Sequence, residues 1–189
     1  MNDFISDQSY KGLDYTKNRL PKAEYENCVF EGCDFSNGYL DGQNFMECTF
    51  VDCNLSNTNL SHTTFNEVRF EGCKFLGVRF EECADFLLDF SFLESTLNLA
   101  SFVGLSLKKQ EFNKCKMIEV DFSGADLRAA NFDNCDLARA IFKGTNLEKA
   151  DFRTAINFSI DPENNRLKKA KFTKDGVMGL LDKYEIVVD

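Results

Sequence analysis

The chain has 189 residues, a formal net charge of −9, 43% hydrophobic residues, twenty Phe, five Tyr and no Trp. That length suits one domain or two small ones. The acidic balance argues against a protein that grips the nucleic-acid backbone, which needs the opposite sign.

The N-terminal stretch "MNDFISDQSYKGLDYTKN" has no apolar run after its basic residues, so no signal peptide is expected. No stretch reaches the roughly 20 apolar residues that cross a bilayer. The reading is a cytoplasmic, membrane-free protein whose eight cysteines stay reduced.

From Tyr10 onward every fifth residue is large and apolar. Tyr10, Tyr15, Leu20, Tyr25 and Phe30 begin a series that runs unbroken to Phe80. A second series starts at Phe92 and runs through Leu97 and Phe102 to Phe152. Period five fits neither the 3.6 residues of a helix nor the 2.0 of a strand. It fits a coil with four flat sides, one pentapeptide per side, climbing about 4.8 Å per twenty residues. Each inner residue then stacks on its counterpart twenty positions away, as in Phe30, Phe50 and Phe70.

The position two before each large residue also faces inward and has little room. Ala fills it at 100, 125, 130, 140 and 150. Cys fills it at 28, 33, 48, 53, 73, 83, 115 and 135, which accounts for all eight. Metal ligands must converge on one point, whereas these are spread by the repeat. They read as small buried hydrophobes, and no metal or cofactor is expected. Glycines 32, 42, 72 and 77 fall two after a large residue, where a tight corner needs a permissive backbone.

The phase slips within 81–91, where Asp85 occupies an inward position. An unpartnered inward carboxylate is costly, so a bulge or irregular turn is expected. The reading divides the chain into an N-terminal lead (1–9), a first repeat block (10–90), a second block (91–157) and a C-terminal cap (158–189). The repeat is expected to end near Asn157. In the tail, "DGVMGLLDKY" predicts a short amphipathic helix with Asp175 as N-cap and Val177, Leu180, Leu181 and Tyr184 on one apolar face. "EIVV", 185–188, predicts a strand.

The stretch "ADLRAANFDNCDLARAIFKGTNLEKADF", residues 125–152, resembles the pentapeptide-repeat family, whose consensus is A(D/N)LXX. The resemblance covers about residues 8–157. It implies an all-β solenoid, a right-handed quadrilateral β-helix with a C-terminal helical cap. It also implies a two-fold homodimer through the tail, with Val177, Leu180, Leu181, Tyr184, Ile186 and Val187 at the interface. Members of the Qnr and microcin-immunity type protect DNA gyrase or topoisomerase IV from quinolones or peptide toxins, and are thought to imitate a DNA duplex. In the Qnr group loops interrupt the coils, whereas both blocks here run without insertion.

Chemistry is sparse elsewhere. The one histidine, His62, is expected on a corner. No partner for it suggests nucleophilic catalysis, and neither a phosphate loop nor a dinucleotide fingerprint is present. The reading is therefore a binding protein and not an enzyme.

The charge distribution supplies the candidate surface. Residues 1–90 hold 16 acidic and 7 basic side chains, and 91–189 hold 15 of each. Between Lys22 and Arg69 there is no cation, while Glu24, Glu26, Glu31, Asp34, Asp41, Glu47 and Asp52 lie within that interval. These seven are the candidate contacts for a topoisomerase. Seven coils give a rod of about 35 Å, and a tail-to-tail dimer one of about 70 Å. Such a dimer carries −18, twice the chain value of −9, against about 40 phosphates on a duplex of that length. The alternative is a structural or protein-interaction solenoid with no topoisomerase partner.

Overall fold

A computed structural model describes residues 3–86 and 88–187. It is a right-handed, four-sided parallel β-solenoid. Its strands are β1 (Asp3–Ser6), β2 (Ser9–Lys11), β3 (Ala23–Glu26), β4 (Val29–Glu31), β5 (Asn44–Met46), β6 (Thr49–Val51), β7 (Thr64–Asn66) and β8 (Val68–Glu71). β9 (Phe90–Leu93), β10 (Glu111–Asn113) and β11 (Asn131–Asp133) follow. Two sheets form, β1-β3-β5-β7 and β2-β4-β6-β8-β9-β10-β11, and every pair is parallel. The other two sides are held by single bridges, such as Asp14–Asp34–Asn54–Lys74 on the third.

The inner residues are buried as the period of five requires. The second side, which carries the longer sheet, builds one column of nine rings. Tyr10, Phe30, Phe50, Phe70, Phe92, Phe112, Phe132, Phe152 and Phe172 stack with centroids 4.7–5.8 Å apart. At the open N-terminal end the rings are Tyr10 and Tyr15, half-buried, with burial pushing the Tyr15 phenol up to about 12. Tyr25, fully buried, donates its hydroxyl to the Pro21 carbonyl at 2.7 Å. Tyrosine suits this end because it combines apolar area with a polar tip.

The ladder begins upstream of Tyr10: β1 pairs with β3 and sets Ile5 opposite Tyr25. It also continues past the end expected near Asn157. After a loop at 158–165, Arg166 bridges Asn146 and Lys171 bridges Asp151, so Leu167 and Phe172 resume the stack at the usual offset of twenty.

The phase slip is a coil of 22 residues. Val68 lies opposite Phe90 and Phe70 opposite Phe92. A short 3-10 turn at Phe80–Glu82 leads into it, Asp85 points to solvent and Phe86 is 75% exposed. Phe90 occupies a position that on the neighbouring coils holds smaller or polar residues, Cys48, Val68, Gln110 and Ala130. It is buried, and its ring meets Phe65, Phe80 and Phe92 at 5.1–6.4 Å. One aromatic residue thus enters from the corner to fill space that the expelled carboxylate cannot.

The inward small position is also more selective than "small and apolar". Thr58, Thr63 and Thr145 donate their hydroxyls to the carbonyls of Phe35, Leu40 and Phe122, each 23 residues earlier, at 2.7–2.9 Å. Cys48, Cys53, Cys73 and Cys135 aim their sulfurs at the equivalent carbonyls at 3.3–3.4 Å. The slot accepts a weak donor, which explains why thiol and hydroxyl interchange there. All eight thiols are buried and free. Burial pushes Cys48 up to about 12, which makes it a poor nucleophile.

The tail differs from its expectation. In place of an amphipathic α-helix it has two 3-10 turns, Gly176–Leu180 and Asp182–Tyr184. Asp175 makes no side-chain cap; Thr173 does, accepting from the Gly176 amide at 2.9 Å. Two glycines in so short a segment disfavour a helix nucleus. Gly179 is needed for a close approach, because a Cβ there would run into the Phe158 carbonyl and ring. Residues 185–187 form no strand, and Val188 lies outside the described residues.

Candidate protein-interaction surface

Each pentapeptide exposes three residues: one before the large inner residue and the two after it. The second of these takes a left-handed conformation at almost every corner, at Gly32 (φ 59°) and equally at Asn27 (50°), Glu47 (54°), Asp52 (51°) and His62 (60°). Non-glycine residues pay some conformational cost there, and the closed ladder holds them. The acidic side chains of the cation-free interval are therefore fixed outward by the repeat itself.

The structure distributes the seven candidate carboxylates around the rod. Glu24 and Glu26 lie on β3 of the first side, Glu31 ends β4 on the second, Asp34 lies in the bridge column of the third and Asp41 follows Leu40 on the fourth. Glu47 and Asp52 sit on two successive corners. They are brought to one end of the molecule, not to one face.

Two of the seven are internally paired. Lys11 reaches Glu31 at 2.8 Å, and Arg19 reaches Asp41 at 3.5 Å while stacking its guanidinium 3.9 Å from the Tyr39 ring. Asp34 accepts the Ser36 amide at 2.9 Å in a local turn. Sequence reading missed both cationic partners, although an offset of twenty links Lys11 to Glu31. Glu24, Glu26, Glu47 and Asp52 have no ion pair among the described residues.

The tail residues are split. Leu180 packs on the core and Leu181 is half-buried, whereas Val177, Tyr184, Ile186 and Val187 are exposed, the last by 87%. Lys183 pins the segment to the preceding loop, reaching Asp161 at 2.6 Å and Glu163 at 2.7 Å, and the Tyr184 hydroxyl donates to Glu163 at 3.0 Å. The Lys183 ammonium holds both carboxyls below their usual range.

No cluster of three or more His, Cys, Asp or Glu with metal-binding geometry occurs among the described residues. His62 is exposed on a corner. Among the described residues no helix is long and apolar enough to cross a membrane.

The family model described as a pentapeptide repeat region matches residues 23–102 and again 73–152. The chain belongs to the pentapeptide-repeat family. No curated protein matches it by sequence. Among solved structures, one trypsin-treated variant of QnrB1, a plasmid-mediated fluoroquinolone resistance protein, is similar at 18% identity and a TM-score of 0.64, over 98% of this chain and 100% of that one. A second such variant gives 17% and 0.66, over 99% and 92%. HetL, a pentapeptide-repeat protein involved in heterocyst differentiation regulation from the cyanobacterium Nostoc, gives 16% and 0.66, over 88% and 84%. At these identities the likeness is one of fold.

Proposed function

We propose that this pentapeptide-repeat protein is a non-catalytic, DNA-mimicking ligand of a type II topoisomerase, DNA gyrase, which it shields from quinolones or a peptide toxin. The observation that carries the reading is the acidic interval between Lys22 and Arg69, displayed outward on a continuous square rod. Nine stacked rings span about 40 Å at one strand spacing per coil. Two rods joined by their tails, through Val177, Tyr184, Ile186 and Val187, would span about 80 Å. In this reading 10–90 is the contact block, 91–157 a neutral strut and 158–189 the cap and dimer segment. Glu24, Glu26, Glu47 and Asp52 make the principal contacts, and Glu31, Asp34 and Asp41 contribute less because they are engaged within the chain. The setting of this function is the cytoplasm.

The test is a gyrase supercoiling assay with ciprofloxacin, titrated with the purified chain. Supercoiling should be retained at a drug concentration that otherwise abolishes it. No change at any concentration of the chain contradicts the proposal.

A second reading is an interaction solenoid with no topoisomerase partner. The match to HetL, as good in TM-score as that to QnrB1, favours it, as does the spread of carboxylates over four sides. Loss of effect in the supercoiling assay together with capture of a different partner from a native lysate would select it.

A further inference from the structure

The two residues after each inner residue of the first side build one corner of the rod. Backbone bonds tie its rungs together: Asp7 to Glu26, Asn27 to Met46 and Glu47 to Asn66 in the first half, then Lys109 to Arg128, Ala129 to Glu148 and Lys149 to Lys168 in the second. Along this corner the charges are sorted. The first half carries Asp7, Glu26, Glu47 and Glu67 and no cation. The second carries Lys108, Lys109, Arg128, Lys149, Lys168 and Lys169, all exposed, with Glu148 as its one acid.

On other sides several charges twenty residues apart are opposite and paired, as in Lys11–Glu31, Lys114–Glu94 and Arg139–Glu119, although Asp14 and Asp34 are like charges on bridged rungs. On the sorted corner, like charges sit on adjacent rungs, Glu47 beside Glu67 and Lys149 beside Lys169. Like charges on neighbouring strands about 4.8 Å apart are destabilising. Among the described residues no ion pair relieves Glu26, Glu47, Glu67, Lys109, Lys149, Lys168 or Lys169. The two halves meet at the 22-residue coil. There a groove is lined by Glu67, Asp89, Lys108 and Lys109, and Phe86 stands 75% exposed beside it in sequence.

We infer that this corner is the docking surface for a second copy of the chain, laid side by side and antiparallel. A two-fold axis through the 22-residue coil sets Glu67 against Lys108 and Lys109 of the second copy. On successive rungs it sets Glu47 against Arg128, Glu26 against Lys149, and Asp7 against Lys168 and Lys169. The four rungs on either side of the axis pair opposite charges, and each contact occurs twice, as an isologous interface demands; at the axis Asp89 of one copy faces Asp89 of the other, and Lys108 and Arg128 also reach Asp126 of their own chain. Phe86 of both copies falls near the axis. The net charge of −9 per copy acts over longer distances and is screened beyond about 8 Å at physiological ionic strength, whereas contact pairs are not. A nucleic-acid strand fits less well, since a polyanion extending past the basic half meets the four carboxylates of the other. Glu26 and Glu47 also belong to the proposed topoisomerase surface, so pairing and gyrase binding exclude one another.

Sedimentation velocity of the full chain tests this. A dimer is expected at low salt, with the dissociation constant rising more than about tenfold at 1 M salt, where the Debye length falls to about 3 Å. Two variants, Glu47→Lys with Glu67→Lys and Lys109→Glu with Arg128→Glu, should each lose this side-by-side association at low salt while keeping the circular dichroism of the unmodified chain. Mixed one to one, they should form a heterodimer. A monomeric unmodified chain at low salt, or a mixture that stays monomeric, overturns the inference. So does a dimer indifferent to salt and to both variants, which places the contact in the tail. Binding of a 20-base-pair DNA duplex that is lost in the Lys109→Glu, Arg128→Glu variant assigns the basic half to a polyanion and also overturns it.

Discussion

The two repeat blocks build the same square coil from different materials. In the first block the aromatic columns run up two adjacent sides, Tyr25–Phe45–Phe65 beside Phe30–Phe50–Phe70, and meet edge to face, as Phe45 and Phe50 do at 5.3 Å. In the second they run up opposite sides, Phe102–Phe122–Phe142 across from Phe112–Phe132–Phe152, with ring centroids 5.9–6.4 Å apart across the core. The small inward slots change in step, with Ala becoming the commonest occupant in the second block where Cys was in the first. Outside, the first block leaves its acids largely unpaired, while the second ties about half of its charges into intrachain pairs such as Arg153–Asp151–Lys171. The backbone register tolerates all of this because only the second side's ring column must continue through both. The comparison teaches that the solenoid constrains where volume and charge sit, and leaves open which residues supply them.

Breaking the shared column should have the largest effect. Phe50→Ala and Phe112→Ala should each cost about 3–5 kcal/mol, the range for a fully buried Phe, measured by chemical denaturation. Tyr10→Ala, at the open end, should cost clearly less. Equal losses at all three sites would contradict a rung-by-rung stack.

The joint between the blocks sharpens the comparison. Phe90→Ala should cost about 3 kcal/mol, since no neighbour refills that space, whereas Phe86→Ser should fall within about 0.5 kcal/mol in the isolated chain. Thermal unfolding of the pair distinguishes the inserted filler from the expelled residue.

Smaller effects belong to the slots. Cys48→Ala should cost about 1–2 kcal/mol, a lost thiol and a small cavity. Thr63→Val should cost about 1 kcal/mol through the lost hydroxyl donor, while Thr63→Ser should largely retain it. A Val variant as stable as the Ser variant would remove the donor from the account of the slot.

The smallest effect is in the tail. Asp161 and Glu163 have lowered pKa values because Lys183 lies between them. Their contribution is present above the ordinary carboxylate range near 4 and fades as the pH falls through it. Amide exchange at Gly176–Leu180 should therefore quicken below about pH 4, and Lys183→Met should remove that pH dependence.

Much of this architecture was legible because one residue in five must be large. The spacing located the inner column from Tyr10 to Phe152, the cysteine class and the outward carboxylates. The rung at Leu167 and Phe172 was hidden because 158–165 interrupts the period of five; only a step of twenty, from Leu147 and Phe152, reveals it. The donor role of Cys53 was hidden because a buried thiol reads as a hydrophobe until a carbonyl is found beside it. The tail misled because Val177, Leu180, Leu181 and Tyr184 have helical spacing, while Gly176 and Gly179 and the contact with Phe158 impose 3-10 turns. In the candidate surface, the acids could be read off, but their spread over four sides follows from the coil and not from their order in the chain.

The most direct test of the account is equilibrium binding of the chain to purified gyrase at low and high salt. A variant carrying Glu24→Lys, Glu47→Lys and Asp52→Lys, three outward carboxylates free of intrachain ion pairs, should be compared with the unmodified chain. The acidic interval predicts binding that weakens with salt and falls by well over about tenfold in the variant, a loss of at least about 1.4 kcal/mol. Binding that survives both the reversal and high salt, or no binding by the unmodified chain at all, would contradict it.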